Sequence, residues 1–243
     1  MEIILSLARK AIQEHDMLRE GDRVAVGVSG GKDSLLTLWA LASLRRFYPV
    51  NYSLCAITLD MGRSAVVEAR AGAREQNAWS GVRAFCESLG VPYIVEPTNI
   101  FEVVFDIRGE RSPCSLCAKM RRGALHSAAL ERGCNKVALG HHKDDAVETF
   151  MMSLIFEGRV HCFKPVTYLD RRDITLIRPL LYAEEGQVRQ AAAGLKLPIV
   201  QNPCPANGNT RRQEIKELLA ELEGRYPNLR HGMFGAIKRG GVL

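Results

Sequence analysis

The sequence predicts an α/β chain: a doubly wound, mostly parallel sheet with helical segments at both ends. Three observations predict it. Short apolar runs alternate with helix-length stretches of 3.6-residue periodicity, the pattern that builds parallel strand–helix–strand units. The runs are apolar on both faces, as strands covered by helices on two sides must be. The residues richest in chemistry follow such runs directly, at the carboxyl ends of strands, where open α/β sheets bind their ligands.

Taken in order, residues 2–18 space Ile3, Ile4, Leu7, Ile12 and Met17 as a helix does. Glu20-Gly21-Asp22 is a turn. Residues 24–28 form the first buried strand, and 34–46 a helix ending in Arg45-Arg46, cations suited to a helix C-terminus. Residues 53–59 are the second strand, ending at Asp60-Met61-Gly62. Residues 64–89 read as a charged helical stretch with a break near Ser80-Gly81. A third strand at 92–96, a helix at 115–132 and a fourth strand at 136–140 follow. Residues 173–178 are a fifth strand and 183–194 a helix. Pro198-Ile199-Val200, a strand-like segment, then leads into a loop around Cys204. Residues 210–223 read as helical, and the Gly-rich end is expected to be loose. The whole reads as one domain over 1–243: an N-terminal helix to 20, an α/β core over 21–182, and a helical segment over 183–243. With 243 residues the chain can bury a sizeable core.

The hydrophobic fraction of 47% is ordinary for a globular chain, and no apolar run reaches membrane-span length. The N-terminus lacks the basic start and long apolar stretch of a signal peptide, so a cytoplasmic location is expected. The net charge of +6 is compatible with a nucleic-acid partner without requiring one. Its distribution says more: residues 108–123 carry Arg108, Arg111, Lys119, Arg121 and Arg122 against Glu110 alone. The tail adds Arg211, Arg212, Lys216 and further cations. Seven cysteines in such a chain favour metal binding or catalysis over disulfides.

Ser29-Gly30-Gly31-Lys32-Asp33-Ser34 sits on the turn between the first strand and the next helix. Two glycines permit positive φ and close approach of the backbone to a ligand. The helix N-terminus, Lys32 and the hydroxyls of Ser29 and Ser34 make an anion site, best suited to phosphate. It is not a Walker A loop, because Val26 and Asp33 stand where that pattern needs glycine and Ser or Thr. A carboxylate inside a phosphate loop requires a cation between them, so Asp33 implies Mg²⁺. The bland alternative is a Gly-rich turn with a solvated charge pair.

Cys114-Ser115-Leu116-Cys117 places two thiols on one face of a helical turn. That spacing suits a metal, an iron–sulfur cluster or a redox dithiol, and inert packing stays open. Arg121, Arg122 and the helix N-terminus are expected to depress the thiol pKa values. Cys204, between Pro203 and Pro205, is held in position and poorly suited to a core, so three thiolates could hold three corners of a [4Fe–4S] cluster. Cys55, Cys86, Cys134 and Cys162 read as small buried hydrophobes. A third group, from Gly140 through His141, His142, Lys143, Asp144 and Asp145 to Thr149, also follows a strand. Asp145 could orient a nucleophile or act as a base, the histidines and acids could bind metal, or the acids could simply cap the helix.

Together these motifs resemble a known family. The Ser29–Ser34 segment resembles the PP-loop of the ATP-pyrophosphatases, which share an adenine nucleotide alpha hydrolase-like, Rossmann-like fold. The ordered set with Pro113 to Cys117, Arg121-Arg122-Gly123, Ala138 to Asp145, Ile177-Arg178-Pro179-Leu180 and Cys204 resembles the tRNA 2-thiocytidine synthetase group, over about residues 10 to 220.

The resemblance implies ATP-dependent thiolation of a tRNA pyrimidine through an adenylated base, releasing AMP and pyrophosphate. It implies ATP at Ser29, Gly30, Gly31, Lys32, Asp33, Ser34, Thr58, Leu59 and Gly140, with Mg²⁺ on Asp33. It implies a [4Fe–4S] cluster on Cys114, Cys117 and Cys204 whose open iron carries the sulfur. Lys32, Asp33, Arg121 and Asp145 take catalytic roles, and Arg108, Arg111, Lys119 and Arg122 track RNA phosphates. The sulfur donor is a cysteine desulfurase or sulfide, a homodimer is left open, and no membrane is involved. Residues 63–79 are longer and more charged than the family pattern, and the tail lacks the zinc-finger Cys and His pairs of some thiouridine enzymes. Alternatives are the same cluster acting on a free thiopyrimidine or other small sulfur compound, a lysidine-forming tRNA ligase, and a non-catalytic nucleotide- or metal-sensing protein.

Overall fold

In the computed structural model, residues 1–64, 79–109, 113–200, 204 and 210–243 are described. The elements are α1 (Glu2–Glu14), β1 (Asp22–Gly27), α2 (Lys32–Leu44), β2 (Tyr52–Asp60), α3 (Ser80–Ser88) and β3 (Tyr93–Pro97). A short π-helix (Glu102–Ile107) precedes α4 (Pro113–Glu131), β4 (Lys136–Ala138) and α5 (Lys143–Glu157). Then come β5 (Val166–Leu169), β6 (Ile174–Ile177), α6 (Glu185–Gly194), α7 (Arg211–Arg225) and α8 (Leu229–Arg239).

The six strands lie in the order β3-β2-β1-β4-β6-β5. All pairs are parallel except β5 with β6. β1 is central: Val24 pairs with Leu54 of β2 on one side and with Lys136 of β4 on the other. The chain therefore winds outward from β1 in two directions, and a crevice opens between the carboxyl ends of β1 and β4.

Helices cover both faces, which is why Val24, Ala25 and Val26 of β1 and Val137 and Ala138 of β4 are apolar and buried on either side. The larger cluster joins α1, α2, α5, α6, α7 and α8 to one face, through Ile12, Leu35, Leu41, Val147, Val188, Leu219 and Phe234 among others. A smaller cluster, with Ala128, Ala129, Val137 and Ile174, lies under α4 on the other. α1 shows how the pattern works: Ile4, Ala8, Ala11 and Ile12 share one face and are the residues it buries.

The structure corrects the sequence reading in three places. A strand was missed: β5 pairs antiparallel with β6 as an edge hairpin, its turn passing through Asp173 at φ +49°. Only four residues long and at best half-buried, it carries little periodic signal. Residues 198–200 form no strand. Val200 instead donates its N–H to the Gly30 carbonyl at 3.0 Å. The C-terminal end is not loose: α8 buries Phe234 and Ile237, spaced to share one face. Of the charged stretch expected to be helical over 64–89, Ser80–Ser88 is helical. Residues 65–78 lie outside the described residues, as does Arg111.

Candidate nucleotide and thiol site

The loop after β1 is built from backbone and hydroxyls. Gly30 alone has positive φ, +82°, while Gly31 is extended and caps α2. The two-glycine expectation therefore divides: one supplies the left-handed conformation, the other the helix entry. Ser34 is buried and staples the loop, accepting from the Ser29 N–H at 3.1 Å and donating to the Gly31 carbonyl at 2.9 Å. Ser29 stays exposed at the mouth. Thr58 is buried behind the loop, its hydroxyl donating to the Val28 carbonyl at 2.7 Å and fastening the end of β1 to β2. Leu59 is half-buried beside it. Gly140 works by absence: a Cβ there would stand 2.8 Å from the Asp33 carbonyl carbon and 3.0 Å from the Ser34 nitrogen. The loop after β4 thus packs directly on the first turn of α2.

The charged side chains of the crevice form a closed ring. Lys32 Nζ is 3.0 Å from Asp33 Oδ1 and 3.3 Å from Glu185 Oε1. Glu185 Oε2 is 3.5 Å from Lys216 Nζ, which is 3.6 Å from Glu148 Oε1. Glu148 Oε2 lies 3.2 Å from the Arg212 guanidinium, which lies 3.0 Å from Asp145 Oδ1. Asp145 Oδ2 and Asp33 Oδ1 then flank His142 Nε2 at 3.4 Å and 3.7 Å. Four elements contribute: the starts of α2, α5 and α6, and one face of α7.

The shifts follow from this ring. Burial alone would lower the Lys32 pKa, but Asp33 and Glu185 outweigh it and raise it. Burial would raise Glu185, but Lys216 and Lys32 outweigh it and lower it. Glu148 has no exposed surface, and burial holds its pKa above the ordinary value despite Lys216 and Arg212. Burial drives His141 down to about 4, so its ring, tilted against Phe163, is neutral.

Asp145 accepts the His142 backbone N–H at 2.9 Å as part of a capping box, so capping and a chemical role coincide in one carboxylate. Asp144 accepts the Glu185 N–H at 2.7 Å and ties α5 to the start of α6. Lys143 turns away to Glu184 and His231. Sequence reasoning missed Glu148, Glu185 and the roles of Arg212 and Lys216. One signal could have found them. Asp145 and Glu148 are spaced i, i+3, and Arg212 and Lys216 i, i+4, so each pair shares a helix face with charge opposite to the other's.

The thiols gather elsewhere in the same neighbourhood. Cys114 is exposed on the first turn of α4 and Cys117 half-buried one turn on. Cys117 lies within electrostatic reach of Arg121, Cys204 and Cys114. Its pKa is raised, not depressed as expected: burial dominates, the other two thiols add to it, and Arg121 opposes. The chain reaches Cys204 four residues beyond Val200, so its Cα lies within about 14 Å of a residue bonded to the phosphate loop. Arg108, Lys119, Arg121 and Arg122 are exposed around α4. Cys86, Cys134 and Cys162 are buried as expected. Cys55 is only half-buried, its Sγ 3.5 Å from that of Cys134.

Two observations bear on bound groups. Asp33 Oδ1 is buried and met by Lys32 Nζ at 3.0 Å, so a cation already stands against this oxygen at the phosphate loop, the charge that Mg²⁺ would supply with ATP bound. Among the described residues no three side chains converge as ligands of a single ion. A cluster asks for something different, one thiolate per iron, and Cys117, with Cys114 and Cys204 each within its electrostatic reach, fits that donor set.

A loop of this build, set at the switch point of a parallel sheet, defines a PP-loop protein. The PP-loop domain model matches residues 4–222. The chain belongs to this family, and within it to the tRNA-cytidine(32) 2-sulfurtransferases. It is 40% identical over 231 residues to the tRNA-cytidine(32) 2-sulfurtransferase of Pelobacter propionicus, covering 94% of this chain and 82% of that one. The protein of the same name from Geobacter sulfurreducens is 37% identical over 235 residues, 94% of this chain and 86% of its own. Among solved structures, the U34-tRNA thiolase NcsA from Methanococcus maripaludis with its [4Fe-4S] cluster superposes with TM-score 0.74 at 26% identity. That match covers 96% of this chain and 77% of the thiolase. The NH3-dependent NAD synthetase from Campylobacter jejuni shares the fold, with TM-score 0.50, 17% identity and coverage of 98% and 91%.

Proposed function

We propose that this chain is an ATP-dependent tRNA sulfurtransferase that converts a cytidine to 2-thiocytidine, position 32 being the target as in its relatives. One observation carries the reading: a PP-loop and three cysteines, the third following a segment bonded to that loop, come together on one chain.

ATP binds with its phosphates at Ser29 to Ser34, where the N-terminus of α2 faces the anion. Lys32, paired with Asp33 Oδ1 at 3.0 Å, meets the phosphates, and the Asp33 carboxylate would hold Mg²⁺, which neutralises phosphate charge when bound. The base oxygen attacks the α-phosphorus and pyrophosphate leaves. Lys32 and the first N–H groups of α2 stabilise the charge that develops. Asp145, steadied by the His142 N–H and Arg212, orients the reacting base. Cys114, Cys117 and Cys204 would hold a [4Fe–4S] cluster, which supplies the point at which sulfur is delivered. Arg121, one helical turn beyond Cys117, keeps a positive charge beside the thiolates. Sulfur replaces the activated oxygen at the base carbon, and AMP leaves.

The target must leave the RNA fold to enter the crevice, which is easiest in a loop. Exposed Arg108, Lys119 and Arg122, with Arg111, track the RNA phosphates. Sulfide or a cysteine desulfurase supplies the sulfur. The chain works in the cytoplasm, as a monomer or a homodimer; no helix among the described residues is long and apolar enough to cross a membrane.

Nucleoside mass spectrometry of tRNA from a deletion strain tests this. 2-Thiocytidine should vanish and return with the wild-type gene but not with Cys114→Ser. Its persistence in the deletion strain would refute the reading.

A further inference from the structure

We infer that Lys216 on α7 is a second phosphate ligand, facing Lys32 across the crevice, and that Glu148 is the buried positioning residue that holds it there. The inference rests on the reading of the loop as an ATP site.

Lys32 and Lys216 share one carboxylate. Glu185 Oε1 lies 3.3 Å from Lys32 Nζ, and its Oε2 lies 3.5 Å from Lys216 Nζ. Two ammonium groups this near repel unless an anion stands between them. Glu185 is that anion here, a carboxylate in the place a phosphate would take. A polyphosphate carries more charge than a single carboxylate and can displace it. Lys216 is a third exposed (34%), so the ligand can reach it.

What keeps Lys216 aimed at the crevice is Glu148. Its side chain has no exposed surface, and Oε1, 3.6 Å from Lys216 Nζ, has no hydrogen bond. Its other oxygen holds Arg212, one turn before Lys216 on α7. A buried carboxylate is costly unless cations surround it, and these two are spaced to reach it from one helix face. A neutral side chain at 148 would leave Lys216 without that tether. Because Lys216 stands opposite the loop lysine, its contact is with the polyphosphate tail, not with the nucleoside monophosphate.

The test is equilibrium binding to the full chain of Mg²⁺ with α,β-methylene ATP, which cannot be cleaved at that bond, and separately of AMP. Lys216→Met should weaken binding of the ATP analogue about 10- to 100-fold while leaving AMP within about twofold, the cost of one charge-assisted contact. Lys216→Arg should restore most of the loss. Glu148→Gln should weaken the analogue in the same sense, and the double variant should bind no worse than Lys216→Met alone, since both act through one contact. Unchanged affinity in Lys216→Met, or equal losses for the analogue and AMP, would overturn the phosphate contact. Additive losses in the double variant would overturn the role of Glu148. A wild-type chain that binds neither nucleotide would overturn the ATP reading itself, so the two failures are distinguishable.

Discussion

Replacing Gly140 by alanine puts one methyl group against the backbone of the phosphate loop. The new Cβ would meet the Asp33 carbonyl carbon at 2.8 Å, its oxygen at 2.9 Å and the Ser34 nitrogen at 3.0 Å. Carbon atoms pack best at about 3.5–4.0 Å, so the two segments must part by roughly 0.5–1 Å. The atoms struck are main chain in the first turn of a helix and cannot rotate aside. Overpacking on this scale costs about 1–3 kcal/mol. For a chain of this length each kcal/mol lowers Tm by about 2–4 °C, so a fall of about 2–12 °C is expected. ATP affinity should fall too, because the displaced N–H groups are those that face the phosphates. Thermal unfolding and ATP binding on the same preparation read both effects. Gly123→Ala is the control: a Cβ there meets nothing within 4 Å, inside α4, so alanine should stabilise by about 1 kcal/mol. A Gly140→Ala chain that melts with the wild type and binds ATP as tightly would refute the reasoning.

Asp33→Ala should abolish pyrophosphate release, and unchanged release would remove the metal role from Asp33. Serine at Cys114, Cys117 or Cys204 should each lower the iron retained after anaerobic reconstitution; a colourless, iron-free wild-type chain would sink the cluster. Lys136→Met breaks a buried pair, Lys136 Nζ to Asp22 Oδ2 at 2.6 Å, and should cost about 3–5 kcal/mol in urea unfolding. Burial pushes the Asp22 carboxyl up, but Lys136, the Arg19 N–H and Asn135 outweigh it and hold it below its ordinary value. Its stabilisation is therefore complete above the ordinary carboxylate range and is lost as pH falls through the folded-state value. Asp22→Asn should flatten that acid limb, and an unaltered limb would show that other carboxylates set it.

How much was legible in the sequence depended on whether the signal was local. The phosphate loop, the strands flanking it and the helix after it could be read because glycine, lysine and apolar runs act through their immediate neighbours. The CxxC was legible for the same reason. The charge ring was not, because Lys32, Glu148, Glu185 and Lys216 are separated by as much as three quarters of the chain, and only the packing of α5, α6 and α7 brings them together. Thr58 was placed at the nucleotide by the family resemblance alone, and only the structure shows its buried hydroxyl donating to the Val28 carbonyl. The edge strand β5 and the packing of α8 also needed tertiary contacts, since four half-buried residues and a glycine-rich helix carry little pattern of their own.

The bond from Val200 to Gly30 also sets an order in time. A ribosome finishes the phosphate loop early but adds the residue that braces it roughly 170 residues later, about 10–30 s at ordinary rates of synthesis. Through that interval the nascent chain holds the loop, and then the strands, without the brace or the lysine of α7. Tight ATP binding is then a late event, reserved for chains long enough to carry Cys204 as well.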